Sequence, residues 1–230
     1  MKNTVELIGF YGSDTVIASS AWTSTSRTLS EEKKARIPKL INQLWKDGHE
    51  TPFEKGVVHF LVDTDIASHI HLLKHRISSF NGESARYKEL KEDKYYIPED
   101  WNGVNLSEDF YWFEQTPYIE EGIAWNSILE DYIKMGDALY HKALKDLTPK
   151  LGRKRAKESA RYFKTYASQI QGDVSFNMRS FANFIKLRNS PHAQLEIREV
   201  AAEMLKLVKE IPGNPFEHTL KAWEDEQKEV

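Results

Sequence analysis

The apolar positions of this chain alternate between two periods. Between 29 and 47, Ile37, Leu40, Ile41, Leu44 and Trp45 recur on one helical face and predict a helix. Thr28 and Glu31 have the spacing of a capping box, and Gly48 stands where a helix stops. The N-terminal MKNTVELIGFYGSD reads as a first strand, and VVHFLV (57–62) as a second. The segment between, GHETPFEKG (48–56), reads as a loop. Asp65 then caps a helix through Ile66, Ile70 and Leu73. RISSFNGESARY (76–87) has the turn residues of a loop, and Tyr95 to Pro98 reads as extended.

The second half is more helical. Trp125, Ile128, Leu129, Tyr132, Ile133, Leu139, Tyr140, Ala143 and Leu144 predict a long helix over about 117–146, broken at Thr148-Pro149. A basic helix is expected over 152–168, a short strand over 173–177, and a helix with Phe181, Phe184, Ile185 and Arg188 on one side. The last strong helix is expected from Ser190-Pro191, with Ile197, Val200, Ala201, Met204, Leu205 and Val208 as its face and Pro212-Gly213 as its end. No repeat and no linker interrupts the chain. The expectation is a single α+β domain over 1–230, rich in helix.

Composition narrows the function. Apolar residues are 40% and charged residues 29% of 230, which argues against a disordered or low-complexity chain. A net charge of −3 does not suit tight, non-specific nucleic-acid binding. Cysteine is absent, so disulfides, thiolate metal sites, iron–sulfur clusters and a cysteine nucleophile are excluded. No run approaches the roughly 20 apolar residues of a membrane helix, and the N-terminus lacks a signal peptide's apolar core. A cytoplasmic protein without membrane partners is expected.

Polar side chains concentrate in three segments: Gly48 to Pro52, Lys74 to Tyr87, and Asn177 to Gln194. In the second, the cation–imidazole–cation triplet Lys74-His75-Arg76 is followed by Ser78, Ser79, Asn81, Ser84 and Arg86. Arginines and hydroxyls around flexible backbone suit a phosphate, and a solvated loop with helix-terminal cations is the plainer alternative. His71 and His75 share a helix face, with His59 and His69 nearby. Yet His49-Glu50 is not followed by the second histidine of a zincin, and Lys74 and Arg76 would oppose a dication, so no metal site is expected. The basic stretch 150–164 sets Lys150, Arg153, Lys154, Arg155, Lys157, Arg161 and Lys164 against Glu158. It reads as a solvated face, with a nucleic-acid patch as the sharper alternative. Arg161 stands apart from the cluster, a candidate to face a site. No GxGxxG or P-loop is present, so a nucleotide cofactor would not sit in a Rossmann or Walker manner.

KHRISSFNGESARY (74–87) resembles the signature of the flavin-dependent thymidylate synthases, with His75, Arg76, Ser79, Asn81, Ser84, Arg86 and Tyr87 in register. GHETPFE (48–54) and NMRSFANFIKLRNSPHAQLEIR (177–198) resemble the family's N- and C-terminal blocks, in order and at similar intervals. The chain departs from the pattern at Lys74 for arginine, Gly82-Glu83 for glutamate and a variable residue, His71 for glutamine, and Lys55 for histidine.

The resemblance implies a fold of helices around a twisted, mainly antiparallel sheet. It implies conversion of dUMP to dTMP with 5,10-methylenetetrahydrofolate as carbon donor, NADPH as reductant and FAD as redox carrier. It further implies a homotetramer with its sites at subunit interfaces. By position, Arg188 matches the catalytic arginine at the uracil edge, and Arg161 another dUMP ligand. Ser84, Ala85 and Arg86 match the phosphate loop, with Gly82, Glu83, His71 and Lys74 as further dUMP positions. Ser84 lacks a base to activate it and is read as a phosphate or orienting ligand rather than a nucleophile. His49, Lys74, His75, Arg76, Asn177, Arg179 and Asn183 match flavin positions, and Ser24 or Ser26 matches a serine touching FAD. The folate-only thymidylate synthases attack the pyrimidine with a cysteine, which this chain does not have. Plainer roles are also open: His192 and Gln194 as supports of the last helix, Asn183 as a satisfied core amide. Trp101 and Trp112 fit no helical face and are candidates to line a groove.

Overall fold

The computed structural model describes residues 2–26, 28–111 and 118–228; Trp112 lies outside them. The chain begins with β1 (Thr4–Tyr11), α1 (Asp14–Ala21) and α2 (Glu31–Lys46), then a 3-10 turn over Thr51–Lys55. β2 (Val57–Asp65), α3 (Ile66–Leu73) and β3 (Ser79–Gly82) follow. A small hairpin of β4 (Phe110–Tyr111) and β5 (Tyr118–Ile119) precedes α4 (Trp125–Leu151), α5 (Arg153–Ala160) and a 3-10 turn over Arg161–Phe163. β6 (Gln169–Asn177), α6 (Met178–Arg188), α7 (Leu195–Lys209) and α8 (Glu217–Lys228) complete it.

The four-stranded sheet has the order β1-β2-β6-β3. β1 runs antiparallel to β2, from Thr4 opposite Asp63 to Tyr11 opposite Val57, with a register shift between Leu7 and Gly9. Met178 N donates to Gly56 O at 2.9 Å and Ile66 N to Ser168 O at 3.1 Å, so β6 is antiparallel to β2 as well. Val58, Phe60 and Val62 alternate inward along β2, and Val174 and Phe176 along β6. That face forms the core with Phe181, Phe184 and Ile185 of α6 and Ile197, Val200, Ala201, Met204 and Val208 of α7. These are the apolar positions that the helical period selected.

The residues group into two compact units. The first is Met1–Asn3, Thr64–His69 and Gly82–Ile170; the second is Thr4–Asp63, Ile70–Asn81 and Gln171–Val230. The sheet core belongs to the second. The first is organised on α4, whose Tyr140 and Leu144 pack with Ala156 and Ala160 of α5.

Several boundaries differ from the pattern. α2 is capped by Ser30, whose Oγ accepts from Lys33 N at 3.3 Å, and not by Thr28. Gly48 closes that end as expected, with φ of 71° where a Cβ would be strained. Asp65 does cap α3, through Ser68 N at 2.9 Å. α4 starts at Trp125, after the hairpin, and runs through Pro149 to Leu151. Proline removes one N–H, and Thr148 Oγ1 donates to Leu144 O at 2.6 Å in that last turn. The basic helix is half as long as expected, and α7 begins at Leu195, after a turn over 190–193. α1, β3 and α8 have no counterpart in the period reading. α1 is short and its face small; α8 is mostly polar, and its buried side chains include Thr219, Leu220, Ala222 and Trp223.

Candidate active site

In the second unit, a cavity of about 710 Å³ collects side chains from four separated stretches: α2's end with the following loop, the segment after α3, α6, and α8. Its walls include Lys46, Lys74, Arg76, Arg179, Lys186 and Arg188, one carboxylate (Glu50), and the apolar Trp45, Ile77, Ala182 and Leu187. This size suits a large organic ligand. Six cations against one carboxylate suit an anionic one, and the apolar walls suit flat rings.

α6 supplies the best-defined geometry. Asn177 caps it, Oδ1 accepting from Ser180 N at 2.8 Å. Phe184 and Arg188, one turn apart, hold His75 between them. The His75 ring meets the buried Phe184 edge-on at 4.9 Å, and its Nε2 accepts from Arg188 Nε at 3.0 Å. Burial, then the nearby Arg188 cation and His71, push the His75 ring down to about pKa 4, so it is neutral near pH 7. Arg179 bridges Glu50 at 2.6 Å and Glu54 at 2.8 Å, tying α6 to the GHETPFE block. The hydrogen bond to Glu54 and the charge of Glu50 hold its guanidinium above its ordinary pKa.

Lys74, His75, Arg76, Arg179, Asn183 and Arg188 are thus brought together. Asn183 is exposed at the cavity and is not a core amide. His49 is exposed beside the lining residues Gly48 and Glu50. Ser26 sits in an exposed turn, its carbonyl accepting from Lys33 Nζ, and Ser24 Oγ donates to Ala21 O at 3.2 Å. His71 is not among the lining residues of the cavity, and it stands near enough to His75 to act on its charge. Gln194 gives its Nε2 to the Glu196 carboxylate at 2.8 Å, which turns its Oε1 to His71 Nε2 at 3.1 Å. Gln194 stands at the N-terminal end of α7, where its carbonyl accepts from Arg198 N at 3.1 Å, and its side chain links Glu196 to His71.

The residues that the resemblance matched to a phosphate loop lie in the first unit. Ser84 O accepts from Tyr87 N at 3.0 Å and Lys88 N at 2.9 Å, and Ser84 Oγ from Arg86 N at 3.3 Å, making a tight turn around Ala85. Gly82 ends β3, and Glu83 pairs with Lys88 at 2.7 Å. Arg86 Nε donates to Glu158 of α5. Arg161 is exposed at the head of its 3-10 turn. Three residues on, the buried Lys164 bonds Asp93 and Asp137, each at 2.6 Å, and His141 adds 2.9 Å to Asp93. Burial raises the Asp93 carboxyl, but the bonds from Lys164 and His141 outweigh it and hold the pKa low. The sequence pattern marked Lys164 only as part of the basic stretch and gave no sign of Asp93, Asp137 or His141 as its partners, since nothing in spacing predicts a salt bridge 71 residues apart. Trp101 lines a separate apolar pocket with Phe110, Trp125 and Tyr132. Among the described residues, no three His, Asp or Glu side chains gather as metal ligands, and no helix is long and apolar enough to cross a membrane.

The fold is shared with a solved structure, the UMP/dUMP methylase PolB from Streptomyces cacaoi bound with 5-Br dUMP. The TM-score is 0.74 over 97% of this chain and 95% of that one, at 24% identity. The family model for "Thymidylate synthase complementing protein" matches residues 6–212. The flavin-dependent thymidylate synthase of Thermosipho melanesiensis is 34% identical over 228 residues, 96% of this chain and 91% of that protein. That of Pseudothermotoga lettingae is 33% identical over 212 residues, 91% and 86% of the two chains. The chain belongs to the flavin-dependent thymidylate synthase family.

Proposed function

We propose that this chain converts dUMP to dTMP, taking the carbon from 5,10-methylenetetrahydrofolate and the reducing equivalents from NADPH through FAD. The observation that carries this reading is the cationic cavity, where Lys74, His75, Arg76, Arg179, Asn183 and Arg188 converge from two distant blocks. Its charge and apolar walls fit a cofactor with a diphosphate and flat rings, and these residues, with His49, Asn177 and Ser26 as the family resemblance matches them, would hold it. When bound, the flavin supplies the two-electron reduction that turns a transferred methylene into a methyl group.

The protein's own part is binding, orientation and charge. Arg188 would set its Nη groups against the uracil edge, where negative charge develops as C5 attacks the carbon donor. A neutral partner in His75 leaves the arginine's full charge available. Ser84, Ala85 and Arg86, with Gly82 and Glu83, would grip the phosphate, and Arg161, Lys74 and His71 would serve as further dUMP ligands. No residue need add covalently to the pyrimidine, which agrees with a chain lacking cysteine. By the same reading, residues 1–230 act as one catalytic domain in a cytoplasmic homotetramer.

The test is an anaerobic turnover with product analysis. Purified protein with FAD, NADPH, 5,10-methylenetetrahydrofolate and dUMP should form dTMP, and flavin absorbance should bleach with NADPH. Protein that carries flavin but leaves dUMP unchanged would overturn the proposal.

A further inference from the structure

α5 carries Arg153, Lys154, Arg155 and Lys157, and next to them its single acid, Glu158. The helix is not simply a solvated face. The loop after β3 lies on it: Arg153 Nη2 donates to Glu89 Oε2 at 2.5 Å, Lys157 Nζ to the Tyr87 carbonyl at 2.5 Å, and Lys154 stands over the Tyr87 ring at 5.9 Å. At the centre, Glu158 receives Arg86 Nε on Oε1 and Arg155 Nη1 on Oε2, the latter at 3.3 Å. The Glu158 side chain is only 17% exposed, whereas Arg86 is 48% exposed.

This differs from an ordinary surface ion pair, which contributes little because both partners remain free to move. One shielded carboxylate is shared by two guanidiniums, so losing either leaves the other in place. Burial works to raise the Glu158 carboxyl's pKa; the bonds from Arg86 and Arg155 overcome it and keep the group ionised. Arginine grips an oxyanion best through two parallel N–H groups. Glu158 takes Arg86 by Nε, which leaves the Nη groups outside that bond, while the guanidinium stands over the Tyr87 ring at 5.7 Å.

We propose that Glu158 is a positioning residue, fixing Arg86 by Nε so that its Nη groups meet the phosphate of a nucleoside monophosphate. This rests on the reading of Arg86 as a phosphate ligand. The basic helix is then the platform of the phosphate loop, and no nucleic acid is needed to account for its charge. The rival arrangement makes Glu158 an internal competitor that the phosphate displaces, and it predicts the opposite sign.

Isothermal titration calorimetry of the full-length holoenzyme with dUMP and with deoxyuridine separates these. Arg86→Gln should weaken dUMP binding and leave deoxyuridine binding unchanged. Glu158→Gln should weaken dUMP binding about tenfold, again sparing deoxyuridine and flavin absorbance, and Glu158→Asp should recover part of the loss. Arg155→Gln, which keeps the Arg86–Glu158 bond, should cost less than Glu158→Gln. A loss shared by deoxyuridine would mark Glu158 as merely structural. Unchanged or tighter dUMP binding in Glu158→Gln, with Arg86→Gln still impaired, would overturn the positioning role. An Arg86→Gln protein that binds dUMP normally would instead overturn the phosphate reading beneath it.

Discussion

Arg188 donates its Nε–H to Nε2 of His75 across 3.0 Å. Arginine has no acceptor atom, so His75 must offer a lone pair there and carry its proton on Nδ1. Protonation of His75 would destroy this acceptor and set a second cation against Arg188. The ring's pKa, about 4 when folded, lies below the usual 6.5. Between those values the unfolded chain binds the proton and the folded one does not, so stability falls as pH drops from 6.5 to 4 and levels off below. His69, lowered by burial, adds in the same direction; Asp14, raised by burial, opposes at the acid end. Urea midpoints of wild type and His75→Asn should therefore converge as pH falls through this window. A parallel pair of curves would contradict the neutral-ring assignment.

Arg188→Lys keeps the charge and loses the planar fork. Thymidylate formation at saturating dUMP should fall about 100-fold, the scale of one lost donor at a developing oxyanion. Steady-state kcat is the measurement, and a change confined to KM would move Arg188 from catalysis to binding.

Arg179 pairs with Glu50, which lines the cavity, and with Glu54. Arg179→Met leaves Glu50 and Glu54 without that partner beside the residues proposed to hold the flavin. Retained flavin, read as the ratio of visible to ultraviolet absorbance, should drop, and the apparent FAD Kd should rise about tenfold, near 1.4 kcal/mol.

Asp14 acts at a distance as the cap of α8. Its Oδ2 accepts from His218 N at 2.7 Å, and its Oδ1 from Thr219 N at 3.1 Å and Thr219 Oγ1 at 2.6 Å. Asp14→Ala leaves those donors without their partner and should cost about 2 kcal/mol, or roughly 6 °C in Tm. Differential scanning calorimetry tests this directly.

Gly136 lets α4 approach the turn that carries Arg161. A Cβ there would stand 2.6 Å from the Phe163 carbonyl, a backbone atom that cannot rotate away. Alanine is the better helix residue by up to about 1 kcal/mol, yet the clash should prevail. Gly136→Ala should lower Tm and raise the KM for dUMP, because Arg161 sits two residues before the displaced carbonyl.

The elements legible in the pattern were those with a wide apolar stripe: α2, α4, α6 and α7, with β1 and β2. Ile37 and Ile41 of α2, Phe181, Phe184 and Ile185 of α6 and most of the α7 stripe are buried as the period selects, because burying one face is what makes such segments fold, whereas in α4 Ile133, Tyr140 and Leu144 of the stripe are buried and Trp125, Tyr132 and Leu139 are exposed. α1 and α8 were silent because neither has a broad apolar face. α8 is held by an aspartate more than 200 residues away and by Trp223 packed on Trp45 and Phe181. The end of α4 misled because proline in a last turn removes little, its lost N–H being only one bond of the ladder.

For the site, the sequence by itself determined which residues carry charge, which chemistry is closed without cysteine, and which three blocks carry the family's pattern. These are properties of residue identity and short spacing. Only the tertiary structure decided that Lys74 to Arg76 and Arg179 to Arg188 line one cavity, that His75 is a neutral acceptor, and that Arg86 is anchored to Glu158. Hydrogen-bond partners 72, 113 and 125 residues apart leave no local signal. Their pairing follows from how the sheet and helices pack, and a side chain's protonation follows from what packing places beside it.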